Sequence, residues 1–296
     1  MCSLRCIEDN VDFDPWRNLM KNLTGIITFN PNIKRLKENL DAICDQETDI
    51  LIFDNGSRNK LEICSIAKER DCTIMCSDKN KGIAYGLKKV MSYADKYHYD
   101  WVLSLDQDSI SEPGLIQEYV KYTKDPKIGA LTCIIKDRNF TETQDHRANN
   151  LEEIDKCITS GCFMSVAAYK HTLGYDTKMF IDSVDFDICY ALRAAGYKIA
   201  RIPFVGLLHE VGKGFNVSVL GKQTIMYNEA AWRRYYMTRN EIYISKKYPQ
   251  YQSPIKTTLR CLWTTFLVLI YENDKVNKLY DGLHGILDGI FMKPTK

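Results

Sequence analysis

The 296-residue chain has no CxxC pair among its 11 cysteines, so zinc ribbons and thioredoxin-like redox sites have no support. The cysteines are odd in number and scattered. Cys133, Cys162, Cys189 and Cys261 stand in apolar runs, where a thiol packs as a small hydrophobe. The opening MCSLRCIEDNVDFDP lacks a basic segment followed by an apolar core, which predicts a reduced, cytoplasmic protein. Neither charge is in excess: 40 Lys and Arg against 38 Asp and Glu leave +2, too balanced for a coat on nucleic acid, so no nucleic-acid partner is expected. A long hydrophobic run is also missing. The longest, Cys261 to Ile270, is about half of the ~20 residues that a spanning helix needs. GxGxxG does not follow the first strand-like run, where Thr28-Phe-Asn-Pro31 stands instead, and this excludes a dinucleotide-dependent oxidoreductase. A basic glycine-rich phosphate loop near the N-terminus, expected of a nucleotidyltransferase, is absent too.

What is present is ordinary for a globular protein with a sizeable core: 45% apolar, 26% charged and 11% aromatic residues. At about 150 residues per domain, the length allows two domains or one large α/β domain with appendages. From about 22 to 135 a short β-branched run alternates with a helical pattern. Leu23 to Phe29 and Asp49 to Asp54 read as buried strands, Cys72 to Cys76 as a third and Tyr99 to Leu105 as a fourth. Helices are expected after Asn30-Pro31, around Ile63 to Ala67, and from Ile83 to Ala94. This alternation predicts a mostly parallel sheet covered on both faces, with ligands at the carboxyl ends of its strands. Three polar loops, Thr28 to Asn30, Asp54 to Ser57 and Asp106 to Asp108, should therefore converge on one crevice.

Further on, the polar stretch 136–157 lacks periodicity and is read as a mobile loop. Thr159 to Ser165 resumes strand character, Phe180 to Asp187 leads into a helix with Gly196 as its left-handed cap, and Tyr197 to Val205 adds one or two short strands. Three helical segments follow, at 228–247, 255–271 and 276–291. The last two carry more apolar surface than a solvated helix tolerates. The catalytic domain, a second subunit and a membrane surface are the alternatives for what it meets.

Asp106 and Asp108, one residue apart at a strand end, are placed to present oxygens to a hard divalent cation that in turn holds phosphate. A lone DxD is more often a solvated turn; here its strand has neighbours that also end in polar loops. Asp54 reads either as a ligand-binding carboxylate or as a turn residue. Asn80-Lys-Gly82 lines a loop, caps the following helix, or does both. Asp182, Asp185 and Asp187 crowd the start of one helix, where the dipole favours all three alike. Tyr235 and Arg239 are four apart and so share a helix face, with Arg233 and Arg234 nearby as further cations.

Taken in order, Asp54-Asn-Gly-Ser57, Asn80-Lys-Gly82, Leu105-Asp-Gln-Asp108, Thr159-Ser-Gly161, Phe180 to Asp187, Ala194 to Lys198, Leu208-His209 and Tyr235 to Asn240 resemble the family 2 glycosyltransferases of GT-A fold. The bacterial rhamnosyltransferase-like branch is the nearest pattern. The resemblance covers about 22 to 245 and continues weakly through Gly285 to Gly289. It implies an α/β GT-A sheet at 22–226, an N-terminal extension at 1–21, and a C-terminal helical region at 227–296 for acceptor, membrane-surface or dimer contact.

The same resemblance implies a metal-dependent transferase that moves a sugar, L-rhamnose from dTDP-L-rhamnose, to a hydroxyl of an envelope or capsular glycan. Alternatives are a UDP-hexose donor or a non-catalytic glycan-binding scaffold. Asp54 would meet the nucleotide base and Thr28 and Asn30 the nucleoside. Asn80 and Gly82 would line the donor cleft. Asp106 would touch ribose and metal, while Asp108 and His209 would hold Mn²⁺ or Mg²⁺. Asp185, 11 residues before Gly196, would be the general base, with Asp182 orienting a sugar and Asp187 a competitor. Tyr235 and Arg239 would neutralise the diphosphate. The partners implied are the nucleotide sugar and a glycan or lipid-linked oligosaccharide; the apolar late helices add a peripheral membrane contact or a homodimer through the C-terminal helices as expectations.

Overall fold

In the computed structural model, residues 20–137, 150–209, 215–219, 222–226 and 228–295 are described. Residues 1–19 of the N-terminal extension, the centre of the polar stretch 136–157 and His146 lie outside them, as do Cys2 and Cys6. The chain starts with the predicted alternation: β1 (Asn22–Thr28), α1 (Ile33–Ile43), β2 (Asp49–Asp54), α2 (Lys60–Glu69), β3 (Thr73–Cys76), α3 (Ile83–Lys96) and β4 (Trp101–Asp106). Asn32, not Asn30, caps α1, its side chain accepting from the Arg35 N–H at 3.2 Å. Asn30 is instead a left-handed turn residue, φ 47°. Leu36, Leu40 and Ile43 recur at helical spacing and are fully buried, each contributing about 1.5–3 kcal/mol of apolar burial.

Then follow β5 (Ile110–Ser111), α4 (Leu115–Val120), β6 (Ile128–Asp137), β7 (Glu152–Ile154), β8 (Cys162–Ser165), α5 (Val166–Lys170), α6 (Val184–Ala194) and β9 (Lys198–His209). One sheet runs β3-β2-β1-β4-β8-β6-β9-β5, with β7 beside β9. Its first four strands are parallel, as expected from the βα repeat. Beyond β4 the sheet is mixed: β8 runs antiparallel to both β4 and β6, and β9 runs parallel to β6. Two expectations need correction. The stretch read as loop contains β7, three residues too short for a periodic signal, pinned to the edge by Arg201–Glu152 and Lys198–Glu153 ion pairs. The one or two short strands at 197–205 are a single 12-residue strand that runs on to His209. Pro203 obscures it in sequence, because proline cannot donate to the ladder; the register with β6 slips there, between Thr132–Arg201 and Ile134–Val205.

A two-stranded ladder, β10 (Phe215–Val219) with β11 (Lys222–Met226), precedes three C-terminal helices, α7 (Ala231–Lys247), α8 (Pro254–Tyr271) and α9 (Lys275–Phe291). These match the three predicted segments to within a few residues. Buried ionic links tie them together and to the α/β layer. Arg234 and Lys278 flank Glu272 at 2.9 Å each, and Lys247 of α7 meets Asp187 of α6 at 2.9 Å. The cysteines among the described residues form no disulfide; the buried thiols of Cys157 and Cys189 stand 3.9 Å apart. No helix among the described residues is long and apolar enough to cross a membrane.

Candidate active site

Parallel pairing brings the carboxyl ends of three strands side by side. Thr28 of β1 lies opposite Asp54 of β2, and Ile27 opposite Asp106 of β4. Over these ends opens a cleft of about 810 Å³, within the usual size of a small-molecule site. Asp106, Asp108, His209, Asn80 and Gly82 of the sequence-predicted set line it.

The acidic turn is held by a buried polar scaffold. The side-chain amide of Asn39, fully buried on α1, donates to the carbonyls of Asp106 and Ser109 at 2.8 and 2.6 Å. The Asp106 N–H donates to Ser160 Oγ at 3.1 Å, Ser160 bonds Ser109 at 2.8 Å, and Ser109 Oγ meets His209 Nδ1 at 2.9 Å. With Nδ1 engaged, His209 turns Nε2 towards Asp106, 3.7 Å from its carboxylate. Burial raises the Asp106 carboxyl above its usual range; His209 pulls it back and Asp108 pushes it further up. Asp108 lies 3.7 Å from Arg35 of α1. The two carboxylates and imidazole are a donor set suited to Mn²⁺ or Mg²⁺. As arranged, the described residues contain no cluster of three such ligands.

Opposite stands the wall of α3 and the turn before α6. Asn80 Oδ1 accepts from the Gly82 N–H at 2.8 Å, closing the turn ahead of α3 without capping it. Asn55 joins the same loop, accepting from the Lys81 N–H and donating to the Gly82 carbonyl, both at 3.0 Å. Gly82 has φ 86° and ψ 163°, and a Cβ there would collide with the backbone of Phe180. Gly82→Ala is therefore expected to cost about 1–3 kcal/mol and to push the Phe180–Ile181 wall outward, read as a lower melting temperature with weakened ligand binding in the cleft.

Asp182 and Ser183, at φ 64° and 60°, form a left-handed corner ahead of α6. Asn240, buried on α7, clamps it by donating to the carbonyls of Ile181 and Asp182 at 2.6 and 3.0 Å. Asp182 pairs with Arg233, which lines the cleft and also meets Glu229. Burial raises the Asp182 carboxyl against the pull of that guanidinium. Asp185 accepts from the Phe186 N–H at 2.9 Å. Burial pushes its carboxyl up to about 6, with the Asp182 and Asp106 carboxylates adding to the rise. Asp185 is not itself part of the cleft lining; Phe180 and Ile181 are.

Other expected residues point elsewhere. Asp54 and Thr28 are fully buried and bonded to each other, and Asp54 also accepts from the Ser57 N–H: this is the turn-residue reading. Its neighbour Asn55 reaches the cleft instead. Asn30 ties two loops, accepting from the Arg58 N–H and donating to Ser57 Oγ. Tyr235 donates to Asp288 of α9 at 2.6 Å, and Arg239 donates to the Lys178 carbonyl at 2.7 Å and packs on Tyr236. Arg234 is held in its buried link to Glu272, so among these late-helix residues it is Arg233, with Trp232 and Met237, that faces the cleft. Asp187 of α6 is buried against Lys247 and lies outside the cleft lining.

The sequence reading brought the loops of Phe29 and Asn55 to the crevice without singling out those two side chains, and it missed Arg35 and Trp232 on the cleft wall. Arg35 carried a signal: a cation in the first turn of α1 runs against the helix dipole, which suggests an anionic neighbour.

Residues 24–194 match the profile of Glycosyl transferase family 2. Over 281 residues the chain is 23% identical to the dTDP-rhamnosyl transferase RfbF of Shigella flexneri, spanning 90% of this chain and 94% of that protein. S. aureus TarS 1-349 in complex with UDP-GlcNAc superposes with a TM-score of 0.59 at 12% identity, over 92% of this chain and 81% of its own. GalNAc-T7 with UDP, GalNAc and Mn2+ superposes with a TM-score of 0.60 at 13% identity, over 90% of this chain and 55% of its own. A UDP complex of TarS 1-349 aligns over 65% of this chain and 61% of its own, with a TM-score of 0.54 and 13% identity. At such identities the structural likeness shows the fold alone, which is GT-A.

Proposed function

Since the chain belongs to glycosyl transferase family 2, we propose that it moves a sugar from a nucleotide-sugar donor to a hydroxyl of a glycan acceptor, with inversion at the anomeric carbon. The observation that carries this reading is the meeting of Asp106, Asp108, His209 and Arg233 in one cleft at the carboxyl ends of the strands. Asn55, Asn80 and Gly82 form its far wall and offer amide and backbone groups to the nucleoside. Arg233 faces the same space as a fixed cation for the diphosphate.

In the transfer step the acceptor oxygen bonds to the anomeric carbon as the bond to the diphosphate breaks, through an oxocarbenium-like transition state. Asp185 takes the hydroxyl proton, a role suited to a carboxyl held near 6. Asp106, Asp108 and His209 would hold Mn²⁺ or Mg²⁺, which when bound supplies charge stabilisation to the departing diphosphate. The dTDP-rhamnosyl transferase at 23% identity, aligned almost end to end, supports dTDP-L-rhamnose as donor and an envelope or capsular glycan, free or lipid-linked, as acceptor. Division into the sheet domain and a C-terminal helical region belongs to the same proposal, as does work at the inner face of the plasma membrane.

The test is donor hydrolysis with a panel of nucleotide sugars, with and without Mn²⁺ or Mg²⁺, for the wild type and Asp108→Ala. Slow metal-dependent turnover of dTDP-L-rhamnose, lost in the variant, is the expected result. Turnover of a UDP-hexose alone would replace the donor. If no sugar nucleotide is hydrolysed or raises the melting temperature, the transferase reading fails in favour of a glycan-binding scaffold.

A further inference from the structure

The two last helices carry most of their large apolar side chains on the outside. On α8, Ile255, Leu259, Leu262, Phe266 and Ile270 recur at three- and four-residue steps, so they share one side of the helix, and all are exposed. On α9, Val276, Tyr280, Leu283, Leu287 and Ile290 repeat the pattern, also exposed. The inward sides carry mostly small or polar groups, with Leu267, Val268 and Ile286 as the large apolar exceptions. Gly282, Gly285 and Gly289 press α9 onto its neighbours so closely that a Cβ at Gly282 would stand 2.6 Å from Thr265 and one at Gly289 2.8 Å from the Arg239 carbonyl. Small residues let α9 approach α7, and most of its large apolar side chains stand on the opposite side. A water-soluble helix ordinarily shows the reverse arrangement.

The exposed area is too large to be incidental. Counting roughly 150–250 Å² for an aromatic side chain and somewhat less for an aliphatic one, half-exposed groups on both helices present on the order of 1,000 Å². Monomers rarely show a contiguous apolar patch beyond a few hundred Å². About 800 Å² per partner is what a standard protein–protein interface buries. Both charge signs occur on or beside the two helices: Lys256, Arg260 and Lys275 on one hand, Asp274, Asp281 and Asp288 on the other, with Arg260 paired to Glu241 and Asp288 accepting from Tyr235. An anionic lipid surface would repel the second group, whereas a two-fold pairing presents the same mixed set of both signs on each side. Size and mixed charge together indicate a self-complementary surface.

We infer that the outer face of α8 and α9 pairs with the same face of a second copy of this chain, forming a two-fold dimer. The cleft is lined from other elements and from the first turns of α7, with no residue of α8 or α9 in its lining.

The experiment is light scattering behind size exclusion on the full chain, for the wild type, Phe266→Glu/Leu287→Glu, and Leu61→Glu as an exposed control on α2. Expected is a dimer for the wild type and the control, and a monomer for the double variant with an unchanged far-ultraviolet spectrum. Should the double variant misfold, Trp263→Ala/Phe266→Ala removes contact without adding charge, and a dissociation constant raised about tenfold or more supports the pairing. A monomeric wild type overturns it, and co-sedimentation of that monomer with phosphatidylglycerol vesicles would assign the face to lipid. A dimer that survives both variants places the interface elsewhere. None of these readouts depends on a sugar donor, so the transferase reading stands or falls separately.

Discussion

Asp185→Asn is expected to lower kcat by about 10²- to 10⁴-fold while leaving donor binding nearly unchanged, the usual share of a general base. The amide keeps the shape of the side chain and loses the capacity to accept a proton. Burial is the main cause of the high Asp185 pKa, so the wild-type rate should fall as the pH drops through about 6, where the carboxylate is protonated. Asp182 and Asp106 reinforce that rise, so neutralising Asp182 should move the acid limb to lower pH. Stability should change in the opposite sense to activity. A carboxyl whose folded pKa is raised costs the fold stability above its unfolded value. The cost begins near pH 4, grows until about 6 and is constant above, at on the order of 2 kcal/mol for a shift of this size. Asp185→Asn should therefore melt higher than the wild type at pH 7 and no higher at pH 3. A rate unchanged at pH 7 would remove Asp185 from the chemistry.

Lys247→Met is expected to be the most destabilising of the surface-distant substitutions. Lys247 is almost wholly buried between Asp187 at 2.9 Å and Asp176 at 3.5 Å, and it ties α7 to α6. Removing one partner of such a set strands buried charge, at a cost of about 3–5 kcal/mol. The two carboxylates respond differently to pH. Burial pushes Asp187 up to about 6 even with Lys247 beside it. For Asp176 burial also acts upward, but the Tyr243 hydroxyl, the Lys178 N–H and Lys247 outweigh it and hold the carboxyl below its usual range. Without the cation Asp187 should rise further, so the loss in the variant should be largest above neutrality and shrink as Asp187 takes up a proton in acid. Denaturant melts of the variant and wild type at pH 5 and 8 read this difference directly. An equal loss at both pH values would mean that packing of the lysine stem, not its charge, holds α6 to α7.

The same pair of helices shows where sequence reading stops. Asp182, Asp185 and Asp187 lie within six residues and share one helix dipole, so nothing local separates them. Lys247 lies 60 residues later, and it is its arrival against Asp187 that separates that carboxylate from the other two. Asp182 is likewise decided by Arg233 from α7. Asp54 had two readings, and the contact that favours the turn is with Thr28 on the neighbouring strand. The Tyr235–Arg239 spacing correctly implied a shared helix side, but spacing does not say what that side meets; α9 and the Lys178 loop do.

By itself the amino-acid order determined the βα repeat, the strand ends that carry Asp54 and Asp106, the acidic DxD turn, the helix running to Gly196, and the three late helices. Each of these rests on hydrophobic period, turn chemistry or capping, which act over a few residues. Tertiary structure alone decided the mixed half of the sheet, where β6, β8 and β9 pair across long separations, and the run of β9 past Pro203 to His209. It also decided that Arg233 rather than Arg239 faces the cleft, that Asn39 and Asn240 brace its two key turns, and that α8 and α9 turn their apolar sides outward. The physical reason is common to all of these: a side chain's role depends on what desolvates and neutralises it, and those partners come from distant parts of the chain.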